Sequence, residues 1–208
     1  MLSEPPTLSP GAPPVVGVVV PIPSGAGFWI RALARIVDVI YGIVLGFVMG
    51  IGLGIIFAIL AHMGKIDADW AEHAKRQNSL LGYLLGIIGS FSYHSVSEGM
   101  GGLSVGKLVC GLRVVRADGD SVDLEAGLLR SLAYFWDALF FGVIGYTRME
   151  RGVLRQRYGD AWAGTVVVRN SIYQSPNPPS AGRSFVAVVL GSILSMGLSS
   201  IPFIVSVL

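Results

Sequence analysis

Glycines recur every four residues along a long apolar run of the sequence, at Gly42, Gly46, Gly50 and Gly54. With 3.6 residues per helical turn, this spacing places them on one slowly drifting stripe of a helix, which also includes Asp38 and Arg31. A stripe without side-chain bulk is typical of a helix that packs closely on another helix in a membrane. A carboxylate at membrane depth costs about 2.5–3.5 kcal/mol to insert. Asp38 is therefore a candidate functional residue.

The composition is that of an integral membrane protein. Of the 208 residues, 52% are hydrophobic and 13% are charged, whereas a soluble domain has about 25% charged residues. The net charge of +2 is too small to indicate a nucleic-acid-binding protein. The single cysteine, Cys110, excludes an internal disulfide, and no cysteine–histidine cluster predicts a metal site. We expect no metal and no cofactor.

Three segments are long and apolar enough to predict membrane spans, at about 36–61, 80–97 and 185–208. A helix over 36–61 is roughly 39 Å long, which exceeds a hydrocarbon core of ~30 Å. The second segment has a small-residue stripe of its own at Gly82, Gly86 and Ser90, so we expect it to pack against the glycines of the first.

Residues 1–25 hold seven of the eleven prolines and no Lys or Arg, which predicts a disordered tail. Residues 170–184 are read as a linker.

Two short segments, 111–117 and 164–169, have the β-branched composition of strands. Neither is stable alone, so we expect them to pair. The intervening apolar segment 131–146 contains Asp137, Gly142 and Gly145 and has only sixteen residues. That length favours a re-entrant or interfacial helix over a complete span.

The distribution of basic residues supports this topology. If 131–146 does not cross the membrane, twelve Lys and Arg residues lie on the N-terminal side and three lie in loop 62–79. If it does cross, the bias nearly disappears and the bilayer separates the two strand-like segments. The positive-inside rule therefore predicts a cytoplasmic N-terminus. The predicted fold is an all-α membrane protein with three transmembrane helices, one re-entrant or interfacial segment and a small cytoplasmic β element.

Three motifs in succession resemble the RDD family of membrane proteins, which is named for one arginine and two aspartates. The first is Ala26-Gly27-Phe28-Trp29 followed by Arg31, Ala34 and Asp38; the second is Gly106-Lys107 followed by Gly111-Leu112-Arg113-Val114-Val115 and Ala117-Asp118-Gly119; the third is Asp160-Ala161-Trp162-Ala163-Gly164-Thr165-Val166-Val167-Val168. The resemblance covers about residues 26–169, taken as the RDD-type membrane domain, and implies that Arg31, Asp38 and Asp160 are the named trio. Gly159 stands where the family usually has histidine, and Val105 where it commonly has proline.

The resemblance implies an integral membrane protein, bacterial in most members, with transport as a suggested role. We expect it to lie in the cell (inner) membrane, in contact with the lipid bilayer.

Helix geometry constrains how the charged trio can pair. Arg31 and Asp38 are about 10.5 Å apart along the helix axis, too far for a direct bond. Arg35 is one turn from Asp38 and within reach. We therefore expect Arg31 to extend to the cytoplasmic surface and to meet Asp160 there.

Two functional hypotheses follow. In the first, the protein transports a small ion or solute as an oligomer, and Asp38, with Asp137, binds a proton or cation. In the second, it is a non-catalytic accessory or scaffold subunit of a larger membrane complex. A purely structural role, in which the charges fasten a cytoplasmic cap to the first helix, is an alternative for the trio itself. No residues form a recognisable nucleophile arrangement, so we do not expect an enzyme.

Overall fold

A computed structural model of the chain describes residues 22, 24–72, 79–138 and 142–207. Within these ranges the helices and strands are α1 (Phe28–His62), α2 (Ser79–Gly101), α3 (Val105–Val109), β1 (Leu112–Arg116), α4 (Leu124–Ala138), α5 (Val143–Met149), α6 (Tyr158–Trp162), β2 (Thr165–Arg169) and α7 (Ala181–Val207). We call residues 102–175 the head. Most of the predicted tail, 1–25, lies outside the described residues.

Helix α1 has 35 residues and is roughly 52 Å long. It begins eight residues before the predicted span, because its first turns dock on the head. Beyond Asp38 its apolar side chains point outward, with Ile43 66% and Phe47 70% exposed. A helix that is apolar over most of its surface and is covered by few protein contacts is typical of a membrane span exposed to lipid.

Two helices, Phe28–His62 and Ala181–Val205, are long and apolar enough to cross a membrane by length and composition. Helix α2 is 23 residues long, but its second half, from Ser90 to Glu98, is largely polar. The predicted number of three spans therefore stays a prediction.

Helix α2 packs along α7, and small residues make the contact possible. A Cβ atom on Gly89 would lie 2.9 Å from the carbonyl oxygen of Ser195, and one on Gly191 would lie 2.9 Å from that of Tyr93. Such close backbone approach is typical of helices that associate in membranes. The most extensive contact of α2 is with the last helix of the chain.

The predicted packing between the glycines of the first two spans is wrong within one chain. A Cβ atom would meet nothing within 4 Å at any of the glycines assigned to it, Gly42, Gly46, Gly50, Gly54, Gly82 and Gly86. The reason is that α2 turns Gly89 and its neighbours toward α7. Helix α1 instead meets α7 at two separated points: the Tyr41 and Ser192 hydroxyls are 2.9 Å apart, and the rings of Phe57 and Phe203 are 5.4 Å apart.

The two predicted strands pair, as expected. Strands β1 and β2 are antiparallel, with Val114 opposite Val167, and both residues are fully buried in the head. Asp118-Gly119 forms a turn after β1, but the chain continues into α4 rather than into a hairpin. The partner of β1 is thus supplied from about fifty residues away in the sequence.

The segment 131–146 spans the end of α4 and the start of α5, which Gly142 separates with a backbone φ of 84°. Residues 139–141 lie outside the described part of the chain. On α4, Leu132, Phe135 and Trp136 are all more than half exposed, which gives this helix an apolar outer face. A re-entrant or interfacial position remains the prediction for it. Helix α7 begins at Ala181, within the segment read as a linker.

Candidate functional site

Asp38 joins α1 to the head. Its carboxylate accepts hydrogen bonds from the Ser104 hydroxyl (2.7 Å), the Gly106 backbone N–H (2.7 Å) and the Tyr93 hydroxyl (3.3 Å). The Tyr93 hydroxyl itself accepts the backbone N–H of Val105 at 2.9 Å. Asp38 is only 6% exposed. A buried carboxylate is tolerated when its oxygens are hydrogen-bonded, and here both oxygens have donors.

Gly106 allows α1 and α3 to approach each other this closely. A Cβ atom at that position would lie 1.9 Å from the carbonyl oxygen of Ala34 and 2.9 Å from the carboxyl carbon of Asp38. Ser104 completes the arrangement, because its hydroxyl also caps α3 by accepting the Lys107 backbone N–H at 3.3 Å. Asp38 therefore holds the first turn of α3 against the α1 backbone.

The structure contains the expected ion pair between Arg31 and Asp160. Arg31 Nη2 contacts Asp160 Oδ2, and Arg31 Nη1 donates to the backbone carbonyl of Arg155 at 2.9 Å. Arg31 is 8% exposed and Asp160 is 1% exposed. The prediction that Arg31 extends to the surface is therefore wrong, because the head folds over the first turns of α1 and buries the pair.

Arg130 on α4 continues this pair into a longer network. Its Nη1 contacts Asp160 Oδ1 and donates to Thr165 Oγ1 at 2.7 Å, while its Nη2 lies 3.1 Å from Glu98 Oε2. Lys107 Nζ contacts the other oxygen of Glu98. Charges of alternating sign thus run through the protein interior from α1 to α6, α4, α2 and α3.

Burial and ion pairing shift the pKa values of these head residues. Burial alone would raise the pKa of Asp160, but the neighbouring guanidinium groups hold it well below its usual range. Burial alone would lower the pKa of Arg130, yet Asp160 and Glu98 raise it. For Lys107, burial lowers the pKa more than Glu98 raises it. Their mutual attraction therefore favours the charged forms of both Asp160 and Arg130.

Asp137 is separate from Asp38. It accepts the backbone N–H groups of Tyr158 (3.1 Å) and Gly159 (3.2 Å) and so fixes the start of α6. The two aspartates line different cavities. The structure therefore does not bring Asp38 and Asp137 into one ion site.

Arg35 does not pair with Asp38, although the spacing allows it. Its guanidinium carbon lies 4.1 Å from the ring centroid of Tyr134 on α4. The guanidinium carbon of Arg157 lies 5.7 Å from the same centroid. Two cations therefore share one aromatic ring, an arrangement stabilised by cation–π attraction.

Three cavities surround this part of α1. The groove, about 500 Å³, lies between α1, α2 and α7. The chamber, about 40 Å³, lies under the head beside the ion-pair network. The lateral cavity, about 420 Å³, lies between α1 and the pair α4 and α5. Arg35 lines all three, and Asp38 and His94 line both the groove and the chamber.

The groove is lined with polar side chains as well as with glycines. Tyr41 contributes from α1, and the remaining hydroxyl and imidazole groups come from α2 and α7. The groove's polar residues are Arg35, Asp38, Tyr41, Ser90, Tyr93, His94, Ser192, Ser195, Ser199 and Ser200. Gly42, Gly46 and Gly50 leave it open along α1. The open glycine stripe is therefore the wall of a cavity.

Sequence reasoning did not identify Glu98, Lys107 and Arg130 as members of the site. A signal for Glu98 existed, because Ser90, His94 and Glu98 continue the four-residue spacing of the second small-residue stripe. Such a stripe, growing more polar along its length, indicates a helix face that leaves the lipid. His94 is buried on this face, with Nδ1 3.3 Å from Glu98 Oε1.

No group of three or more His, Cys, Asp or Glu side chains in the described ranges is arranged to hold a metal ion. Among known proteins, a family model with the description RDD family matches residues 25–207. The match extends beyond residue 169, where the motif resemblance ended, and takes in α7. Comparison with curated proteins and with solved structures gives no match.

Proposed function

The chain belongs to the RDD family, and from this premise we propose that this membrane protein moves a small cation or a proton through the groove. The proposal gives it a transport role rather than an enzymatic one. The observation that carries it is the groove itself, a cavity of about 500 Å³ that has both polar and apolar side chains in its lining and lies between helices whose outer faces are apolar. Polar and ionisable groups that face such a cavity in a membrane protein mark solute pathways.

Asp38 supports a cationic solute. It is the one carboxylate among the described residues that line the groove, and it stands where the groove meets the chamber. Its hydrogen bonds to Ser104 and Gly106 close the groove toward the head. Protonation or cation binding at Asp38 would compete with those bonds, which supplies a physical link between occupancy and opening.

The open side of the groove supports an oligomer. Helix α1 meets α7 at Tyr41 and at Phe57 and leaves the stretch between them uncovered. A second copy placed against this stretch would enclose the pathway, and the empty space beside the glycines would let a helix approach. The charge pattern favours a cytoplasmic N-terminus and head, and we propose that the protein lies in the inner membrane.

Flux into proteoliposomes tests the proposal. The purified full chain would be reconstituted into proteoliposomes, and a Na⁺, K⁺ or proton gradient would be imposed across their membrane. Uptake would be followed with ion-sensitive dyes. We expect flux for at least one cation and its loss in Asp38→Asn. Because Asp38→Asn could also disturb folding, Asp137→Asn serves as a matched control: it alters a buried carboxylate outside the groove and should retain flux.

A second pair of variants blocks the groove without touching a charge. Gly46 lines the groove and Gly52 does not, yet a Cβ atom would meet nothing within 4 Å at either position. Gly46→Leu should therefore fold and abolish flux, whereas Gly52→Leu should fold and conduct. Equal flux in the two variants, or full flux in folded Asp38→Asn, would exclude the groove as the pathway.

One observation favours the alternative role of accessory or scaffold subunit. Only 6% of the residues in the most apolar window of α1 are buried within the chain, so this part of the helix is largely open to lipid or to another protein. Stoichiometric co-purification with a larger complex from a native membrane extract, together with no flux for any cation, would establish this role instead.

A further inference from the structure

The lateral cavity lies on a flank of α1 next to the groove, and Arg35 and Val39 line both cavities. Its walls include Ile36, Val39 and Ile40 of α1, which are all more than half exposed and continuous with the lipid-facing surface of that helix. Its inner end is polar, because Arg35 and Arg157 stand there on the ring of Tyr134. The cavity is therefore apolar toward the membrane and cationic toward the head.

Arg35 has no counter-ion in the described part of the chain. It stacks on Tyr134 and makes none of the ion pairs found there. Cation–π stacking leaves the N–H groups at the edge of a guanidinium free to donate. Arg35 is thus an available donor at the edge of a partly apolar cavity.

Arg157 is only partly satisfied. Its Nε lies 3.7 Å from Asp160 Oδ2, and this atom is buried without a hydrogen-bond partner. Asp160 cannot serve it better, because its two oxygens already contact Arg31 and Arg130. The remaining carboxylate of the cavity, Asp137, accepts backbone N–H groups of α6. The inner end of the lateral cavity therefore has unmet cationic donors.

We propose that the lateral cavity binds an anionic phospholipid, with its phosphate between Arg35 and Arg157 and its acyl chains along Ile36, Val39 and Ile40. A phosphodiester carries one negative charge and acceptor oxygens that match guanidinium donors. Basic pockets beside membrane helices bind lipid headgroups in this way. A soluble anion would satisfy the two arginines but would leave the apolar walls exposed, so the cavity fits a lipid better. This proposal does not rest on transport through the groove.

Lipid binding to the full chain in detergent tests the proposal. Fluorescently labelled phosphatidylglycerol would be titrated with protein, and unlabelled phosphatidylglycerol, phosphatidylcholine and inorganic phosphate would be added as competitors. We expect competition by phosphatidylglycerol alone. Competition by inorganic phosphate at comparable concentration would overturn the assignment to a lipid. Equal competition by phosphatidylcholine would overturn the preference for an anionic headgroup.

The variants separate this site from general attraction to anionic lipid. Arg35→Gln combined with Arg157→Gln should weaken phosphatidylglycerol binding at least tenfold. Arg183→Gln removes an exposed cation from the first turn of α7, outside the cavity, and should change binding less than twofold. If the double variant does not fold, Arg35→Gln alone carries the test with an expected loss of about fivefold, because Arg35 holds no ion pair in the described structure. Equal affinity in the wild type and the arginine variants, or an equal loss in Arg183→Gln, would refute the site.

Discussion

Asp38 on α1 and Gly106 on α3 are joined by a 2.7 Å hydrogen bond from a backbone N–H to a carboxylate, at a point where even a methyl group would collide with the α1 backbone. The charge and the glycine therefore act together. Gly106 lets α3 approach α1 closely, and Asp38 accepts hydrogen bonds from the polar groups that this approach buries. This contact fixes the depth at which the head sits on α1 and closes one end of the groove.

Replacing Asp38 should destabilise the protein in proportion to the acceptors that are lost. Asp38→Ala leaves the Gly106 N–H and the Ser104 hydroxyl unsatisfied, at about 1–3 kcal/mol for each buried group. Asp38→Asn keeps one acceptor and should lose less. The thermal midpoint in detergent, followed by tryptophan fluorescence, should fall in the order wild type, Asn, Ala. Equal midpoints would mean that the hydrogen bonds do not fasten the head.

Gly106→Ala should be among the most damaging single-methyl changes in the chain. Overpacking of this kind costs about 1–3 kcal/mol even where neighbours can shift, and here the obstructing atom belongs to the α1 backbone. Gly42→Ala is the matched control, because a Cβ atom there would meet nothing within 4 Å and alanine favours a helix by about 0.5–1 kcal/mol over glycine. Folded yield and thermal midpoint should fall only for Gly106→Ala; loss in both variants would contradict the close approach.

Part of this arrangement could be predicted from sequence. Hydrophobic runs predicted the long helices, and strand composition predicted the pairing of residues 112–116 with 165–169. The motif resemblance led to the predicted contact between Arg31 and Asp160. The prediction that the α1 glycines pack against the second span was wrong, because a small-residue stripe has the same spacing whether it contacts a helix or borders a cavity. Glu98 and Arg130 were missed because their burial depends on where α4 crosses α2. A Cβ atom on Gly127 would lie 2.4 Å from the Ser95 carbonyl, and no periodicity along one helix encodes such a crossing.

Charge reversal should fail to rescue the pair of Arg31 and Asp160. Removing one partner of a buried ion pair costs about 3–5 kcal/mol, so Arg31→Gln should lower the free energy of unfolding strongly. The exchange Arg31→Asp with Asp160→Arg would place a new cation beside Arg130 and remove the acceptor of the Arg157 backbone N–H, which is 3.0 Å from Asp160. A double variant that stays well below wild-type stability is therefore expected in a thermodynamic cycle. Recovery of wild-type stability would show an isolated pair instead of a network.

The low pKa of Asp160 predicts loss of stability in acid. Because its folded-state pKa is held below the unfolded value of about 3.9, its ionised form stabilises the folded state above that pH. The contribution is lost as the pH falls from there toward the folded-state pKa. Between pH 7 and 5 it should be constant. The difference in unfolding free energy between wild type and Asp160→Asn, measured from pH 6 to 3, should shrink below about pH 4; a difference independent of pH would contradict the assignment.

Gly159 packs where α6 crosses α4, and this contact predicts the effect of restoring a side chain there. A Cβ atom at Gly159 would lie 2.8 Å from Ala133 Cβ and 3.3 Å from Asp137 Oδ2. Gly159→His should therefore displace α6 and weaken the contact of Asp160 with Arg31, and Gly159→Ala should do so to a smaller extent. Because the nearest obstacle is one methyl group, Ala133→Gly should restore most of the thermal stability lost in Gly159→Ala, although it costs α4 about 1 kcal/mol of helix propensity. Gly152→Ala, in open space, is the control and should leave the thermal midpoint unchanged. If Ala133→Gly and Gly159→Ala destabilise additively, the two helices do not meet at these residues.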